Sequence, residues 1–337
     1  MITDRHTPKK PIGVKLFFLI KIFNFHQKKQ LHSDRFFRRM SISYHLIKMR
    51  VHQKDTPSVF RRFPSDFRYN LLKNGLLFLA VGLVLLNWYT ADITKNNLQL
   101  VVNPPFQIAF FETRYLYAYM HLFAFVPVFL MSFDKKVAFF KTFKSLFPTL
   151  FIVAAIFWIW DIVKTDTQVW GFNPTYYTRL LVNLPIEEWL FFITFPYCSV
   201  FIYACLNAYF PHDTLEKFDR PLSMFFGFGC LLVGLVFWKN SYTATTWIPA
   251  GLFALWHFWR FPNTYRTRFY RAFFVGLVPF FLVNSVFAGI ATAEPIVIYN
   301  PEEYLGIRIG VIPLDDFVYN FLLEFMVIYF FERFSEK

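Results

Sequence analysis

The sequence predicts an all-α polytopic membrane protein, with seven transmembrane helices arranged as two parallel three-helix repeats plus a linking helix. Three observations predict this. The 337 residues are 56% hydrophobic and 23% aromatic, 49 of them Phe, and the mean hydropathy is +0.37. That composition suits a chain solvated by lipid better than a soluble domain with a large core. Seven apolar runs are long enough, or nearly so, for the roughly 20 residues that a bilayer core of about 30 Å demands. Finally, one polar block occurs twice, each time at the mouth of an apolar run.

The apolar runs, A to G in chain order, are 115–133, 146–163, 184–207, 222–238, 243–259, 272–293 and 311–331. Trp and Tyr near many of their ends suit the membrane interface. A weaker run, 74–88, is a candidate eighth helix. The loops separate by charge. A–B carries Lys135, Lys136, Lys141 and Lys144; C–D carries Lys217 and Arg220; E–F carries Arg260, Arg266, Arg268 and Arg271. The alternate loops hold only Lys164, Arg179, Lys239 and Arg308, the last outnumbered by Glu294, Glu302 and Glu303. The positive-inside rule therefore turns B–C, D–E and F–G away from the cytoplasm.

The net charge of +13 has a single source. Residues 1–73 hold 17 of the 35 Lys and Arg but 4 of the 22 Asp and Glu, and the rest of the chain is balanced. The segment contains no nucleic-acid-binding motif, so no nucleic-acid partner is expected. Two readings stand: a basic extension held near anionic lipid, or translated upstream sequence with the true start near Glu112. The organisation expected is 1–73 extension, 74–113 weak helix and linker, 114–207 first repeat, 208–241 linking helix, and 242–337 second repeat. Cys198, Cys205 and Cys230 all fall in apolar runs without a CxxC, so they read as inert buried thiols with no metal site. No GxGxxG or GxxxxGK[ST] is present, and no cofactor is expected.

The duplicated block is "NPTYYTRLLVNLPIEEWLFF" (173–192) and "NPEEYLGIRIGVIPLDDFVYNF" (300–321). Each copy has Asn-Pro, then Pro-x-acid-acid-aromatic, then a helix. Runs C and G are four crossings apart and so run in the same direction, which makes the repeats parallel. Proline and acids suit a helix's first turn, so capping is the plainer reading of either pair alone. Capping needs one acid at most, and recurrence of two points to a shared site. Adjacent helical residues point about 100° apart, so one acid of each pair faces a common cavity. Asp316, Asn320 and Glu324 share a face of run G, which favours Asp316. The repeat alignment then favours Glu188, although Glu187 shares a face with Thr194. Asp161, near the outer end of run B, either reaches the interface or joins the other acids. Aromatic residues flank them, among them Trp170, Phe172, Trp189 and Phe192; most are packing, and those beside the acids could face a cation. His121 and His257 read as core packing.

The stretch "FPTLFIVAAIFWIWDIVKTDTQVWGFNPTYYTRLLVNLPIEEWLFF", with "IPLDDFVYNF", resembles the non-flavin lycopene cyclases of carotenoid-making bacteria, archaea and fungi. In that family two homologous small membrane units act as separate subunits or as one fused chain with a linking helix. The resemblance runs from about residue 115 to 331. It implies catalytic roles for Glu187, Glu188, Asp315, Asp316 and Asp161. Trp170, Phe172, Asn173, Trp189, Phe192 and Asn320, near these acids, are expected to bind the substrate. The resemblance also implies lycopene or a related carotenoid as substrate, contact with other carotenoid enzymes, and residence as a multi-pass protein of a bacterial cytoplasmic membrane.

Such chemistry would account for acids in an apolar span. Lycopene has no polar handle, so its site must be apolar. Ring closure needs a carboxylic acid to protonate the terminal double bond, a carboxylate to take the final proton, and aromatic faces for the cation. The net change is isomerisation, without redox. Two acids in different environments can divide those roles. A cyclase for a longer carotenoid or another ring isomer is the nearest alternative. A proton-coupled transporter is another, since intramembrane acids are usual there; many transporters have inverted repeats, unlike these. A third is a non-catalytic membrane partner that presents carotenoid to another enzyme.

Overall fold

The computed structural model describes residues 107–335. Residues 1–73 and the weak apolar run at 74–88 lie outside the described residues. Within the described residues seven α-helices follow the seven apolar runs: α1 Leu116–Met131, α2 Phe143–Asp166, α3 Ile186–Tyr209, α4 Asp219–Val236, α5 Ser241–Arg260, α6 Arg266–Phe287 and α7 Leu314–Ser335. Four helical segments are long and apolar enough to cross a membrane: Phe139–Asp166, Ile186–Tyr209, Glu216–Val236 and Arg266–Phe287. α1 is apolar but shorter. α5 and α7 are long but carry polar residues, and most of those are buried. Nearly all of α7 from Phe321 to Phe331 is buried against its neighbours. A helix wrapped in protein need not present a continuous apolar surface to lipid, so it can carry Asp315, Asp316 and Glu324.

α6 begins six residues before its apolar run, because its first turns contain the arginines that hydropathy excludes. Arg266 is nevertheless held inside, paired to Asp219 at 2.6 Å and bonded to His257 Nδ1 at 3.1 Å. His257 also pairs with the Tyr265 hydroxyl at 2.9 Å, and His121 Nδ1 lies 2.7 Å from Thr194 Oγ1. Both histidines therefore sit in packed, hydrogen-bonded surroundings.

The chain is not wholly helical: among the described residues six short strands lie in the loops that precede α3 and α7. β1 (Trp170–Phe172) pairs antiparallel with β4 (Val297–Tyr299), register Trp170↔Tyr299 and Phe172↔Val297. The ribbon is extended at both ends by equivalent bonds, Asn173 N to Ile296 O at 2.8 Å and Asn300 N to Val169 O at 2.9 Å. β2 (Leu180–Leu181) and β3 (Leu184–Pro185) form a hairpin before α3, and β5 (Arg308–Ile309) and β6 (Ile312–Pro313) form the same hairpin before α7. Each turn opens on a left-handed residue, Val182 (φ 62°) and Gly310 (φ 63°). Glycine takes that conformation without strain, whereas a β-branched residue does not. Pro185 and Pro313 end these hairpins instead of opening the helix, so the acid pairs occupy the first turn of α3 and of α7. The internal repeat is thus a repeat of hairpin, helix and acids.

The packing crosses between the halves. α2 packs on α7 and α6 packs on α3, while α1 lies along α3 and α5 along α7. α4 lies along α5, where glycines let the two backbones meet. A Cβ on Gly251 would come within 2.6 Å of the Gly227 carbonyl oxygen and 2.8 Å of the Leu231 side chain. Small residues at such contacts are the usual means of close helix approach in membranes. Gly251→Val is therefore expected to lower stability by about 1–3 kcal/mol through overpacking. Thermal unfolding in detergent measures it, and an unchanged midpoint would show that α4 can move away freely.

One end of the bundle gathers A–B, C–D and E–F residues: Lys136 lies 3.8 Å over the Tyr209 ring, and Arg271 bonds the Phe210 and His212 carbonyls at 2.9 Å each. The opposite end gathers B–C, D–E and F–G, with Asn240 Nδ2 bonding the Glu302 and Tyr304 carbonyls at 3.0 Å. This second end is expected to face away from the cytoplasm. A reporter fused in the loop at Glu303 should read as external, and a cytoplasmic signal there would reverse the topology.

Candidate active site

Under the β1–β4 ribbon lies a cavity. Three carboxyls reach it from three helices: Asp161 from α2, Glu188 from α3 and Asp316 from α7. All three residues are buried. The rest of the wall is mainly aromatic, including Trp170, Phe172, Phe191, Tyr242, Tyr299 and Tyr319. The crossed packing explains the convergence. α2 lies on α7, so an acid of the first half faces one of the second.

The three acids differ in their partners. Asp316 accepts a phenol on each oxygen, from Tyr242 at 2.6 Å and from Tyr299 at 2.7 Å. Burial, with Asp316 alongside, holds the Tyr299 phenol well above its ordinary pKa, which keeps it a donor. Glu188 accepts one phenol, from Tyr117, on Oε2. Asp161 Oδ1 accepts the Trp170 indole N–H at 2.6 Å, and its buried Oδ2 has no hydrogen-bond partner among the described residues. Asp161 and Glu188 lie close enough to interact electrostatically.

Glu187 and Asp315 turn away from the cavity. Glu187 Oε1 accepts the Thr178 amide at 3.0 Å and hydroxyl at 2.6 Å, which fixes the loop before α3. Asp315 accepts Thr243 Oγ1 at 2.7 Å, Trp247 Nε1 at 2.9 Å and the Leu305 amide at 3.1 Å, which ties α5 and a loop to α7. Neither lines the cavity. Of the other residues singled out in the sequence, Trp170, Phe172 and Asn320 line the cavity and Asn173, Trp189 and Phe192 do not. Asn173 joins the loops, bonding Glu294 at 2.7 Å. Trp189 is half-buried, its indole on the Leu181 carbonyl. Phe192 is core, 5.9 Å from Phe157 and 6.5 Å from Tyr319.

Sequence reasoning missed Tyr117, Tyr242, Tyr299 and Asn284. One signal could have found two of them. Tyr117 and Tyr242 are each the second residue of the first helix in their half, and each binds that half's inward acid. The halves otherwise differ. Phe172 directly precedes Asn173-Pro174 and Tyr299 directly precedes Asn300-Pro301, so one copy lacks the hydroxyl that the other donates. Near the end of the middle helix stand Asp161 in one half and Asn284 in the other.

These features define a helical, internally repeated protein with apolar helices and a buried cavity into which carboxyls from both halves project. The lycopene cyclase family model matches residues 114–206 and 239–334, together more than half of the chain, and omits the segment containing α4. The chain belongs to the lycopene cyclase family. No curated protein and no solved structure matches it.

Proposed function

We propose that the protein is a lycopene β-cyclase, a redox-neutral enzyme that closes the ends of lycopene into β-rings. In this reading seven helices cross the bilayer as parallel repeats, 114–207 and 242–337, joined by the linking segment 208–241. The supporting observation is the convergence of Asp161, Glu188 and Asp316 on one cavity walled by aromatic rings.

The acids divide the work by their partners. An ionised carboxylate only accepts hydrogen bonds. Asp316, with a phenol donated to each oxygen, is the base. Glu188, with a single phenol, is the proton donor. Its proton goes to the terminal double bond and leaves a tertiary cation. The next double bond attacks that centre, forming the ring bond and moving the cation to the ring. Asp316 then takes the proton at the ring-junction carbon, and the electrons of that C–H bond become the β double bond. Loss of a ring methylene proton instead would give another isomer, so the base's position sets the ring type. Trp170, Tyr242 and Tyr319, with Trp170 and Tyr242 rings 4.8 Å apart, can face the cation, each worth roughly 2 kcal/mol when desolvated.

The test is expression in a lycopene-accumulating bacterium, with pigments separated by chromatography. β-ringed product supports the reading, other rings correct the isomer, and lycopene alone in membranes containing the protein rejects it. The start of the active unit is a separate matter. Ile108 N bonds the Ala291 carbonyl at 2.9 Å, and Glu112 accepts Tyr176 Oη and Ala293 N at 2.6 Å each, so these residues belong to the loops around the site. A chain beginning at residue 107 is expected to cyclise lycopene at the full-length rate when membrane levels match. A loss of product at equal level would give the preceding residues a role.

A further inference from the structure

A second cavity adjoins the first, and Phe191, Phe280, Asn284 and Asn320 line both. Its walls come from α1, α3, α6 and α7 and are mostly apolar. Phe123 of α1 and Leu282 of α6 stand at its edge, 65% and 63% exposed, on faces that lipid would cover. Glu324 is the charged-type residue in its wall. Glu324 Oε1 accepts Ser199 Oγ at 2.7 Å and Asn320 Nδ2 at 3.1 Å, which ties α3 to α7 and orients Asn320 at the junction of the two spaces. Opposite, Gly276 leaves room: a Cβ there would lie 3.8 and 3.9 Å from the two Glu324 oxygens.

The helix faces continue from one space to the next. On α3, Glu188, Phe191, Phe195, Ser199 and Ile202 recur at steps of three and four, and on α7 Asp316, Asn320 and Glu324 recur at steps of four. Residues so spaced share one helix face. Each stripe begins at an acid of the first cavity and ends in the second.

Resting on the reading above, we propose that the second cavity is the subsite for the polyene chain behind the reacting end, entered sideways from the lipid between α1 and α6. Ring closure uses only the two terminal double bonds. The remaining hydrocarbon carries no polar atom and needs an apolar path out of the acid-lined space, and the adjoining cavity continues that space to a lipid-covered face. Glu324 takes no part in the chemistry here; with Ser199 it is a positioning residue that sets Asn320 at the junction.

The test fills this cavity from opposite walls with residues that do not line the first. The series Gly276→Ala, Gly276→Leu, Gly276→Phe and, on α1, Ala124→Phe is assayed in membranes at matched protein level. Two substrates are used: lycopene, and a synthetic polyene with the same terminal double bonds but a chain a few isoprene units long. Gly276→Ala, which adds one methyl to the wall, should have the smallest effect of the series. The larger replacements should lower lycopene turnover by about 10–200-fold, the range over which apolar pocket shape separates substrates, with the short polyene unaffected. Equal losses on both substrates, or no loss from either wall, would overturn the subsite while wild-type activity upholds the cyclase. If wild type cyclises neither substrate, the cyclase reading and the subsite fall together.

Discussion

Glu188→Gln is expected to leave lycopene unchanged in membranes that contain normal amounts of protein. The amide keeps the shape of the side chain and can still accept the Tyr117 hydroxyl, but it has no proton to give. General acid catalysis accounts for about 10²–10⁴-fold in rate, and an alkene protonates too reluctantly for water to replace the acid in an apolar cavity. Pigment chromatography reads the loss directly. With wild type in D₂O, the delivered proton should appear as deuterium in the ring; ringed product without it would rule out an exchangeable donor. Glu187→Gln is the control. Its carboxyl holds Thr178 and lies outside the cavity, so activity should fall little. Ringed product from Glu188→Gln at near the wild-type rate would reject the assignment.

Asp316→Asn should fail differently. The donor remains, so the cation still forms, but the group that removes the ring-junction proton is gone. β-Ringed product is expected to fall by about 10²–10⁴-fold. In D₂O the terminal cation, before the ring bond forms or after that bond reopens, can return a proton to the Glu188 carboxylate, and some of those returned will be protium from carbons beside that cation. Recovered lycopene should therefore carry deuterium near its ends, whereas lycopene recovered from Glu188→Gln should carry none. Mass spectrometry of the recovered substrate distinguishes the two. Deuterium in the Glu188 variant and not in the Asp316 variant would exchange the roles of donor and base. Asp315→Asn serves as a contrast, since a side chain that accepts three hydrogen bonds should act on stability more than on labelling.

Much of this site was legible along the chain because its chemistry conflicts with its surroundings. Acids at the start of apolar runs stand out, and their recurrence at nearly the same distance after an Asn-Pro marked Glu188 and Asp316. The i, i+4, i+8 stripe of Asp316, Asn320 and Glu324 is likewise a property of one helix. Tyr117, Tyr242 and Tyr299 were not legible for the opposite reason. Tyrosine at the ends of membrane helices is ordinary, and the chain has 18 of them. Only contact with an acid that lines the cavity separates these three from the rest. Asn173, Trp189 and Phe192 were drawn in by nearness in sequence to the acids, and each faces a loop or the core instead.

By itself the sequence determined the helical runs, their order, the duplicated block and the exclusion of cofactor motifs, since each depends on composition or on spacing within one segment. The tertiary structure decided that acids of the two halves share a cavity rather than having one in each half. α2 packs on α7 and α6 on α3, so acids more than a hundred residues apart meet under a ribbon formed by both loops. It also decided the difference between the acids, two phenols on Asp316 and one on Glu188. The physical reason is the range of the interactions. Hydropathy and helical periodicity are set by neighbours along the chain, whereas a carboxyl's partners are set by which helices pack together, and in two similar halves the sequence alone does not distinguish pairing within a half from pairing across.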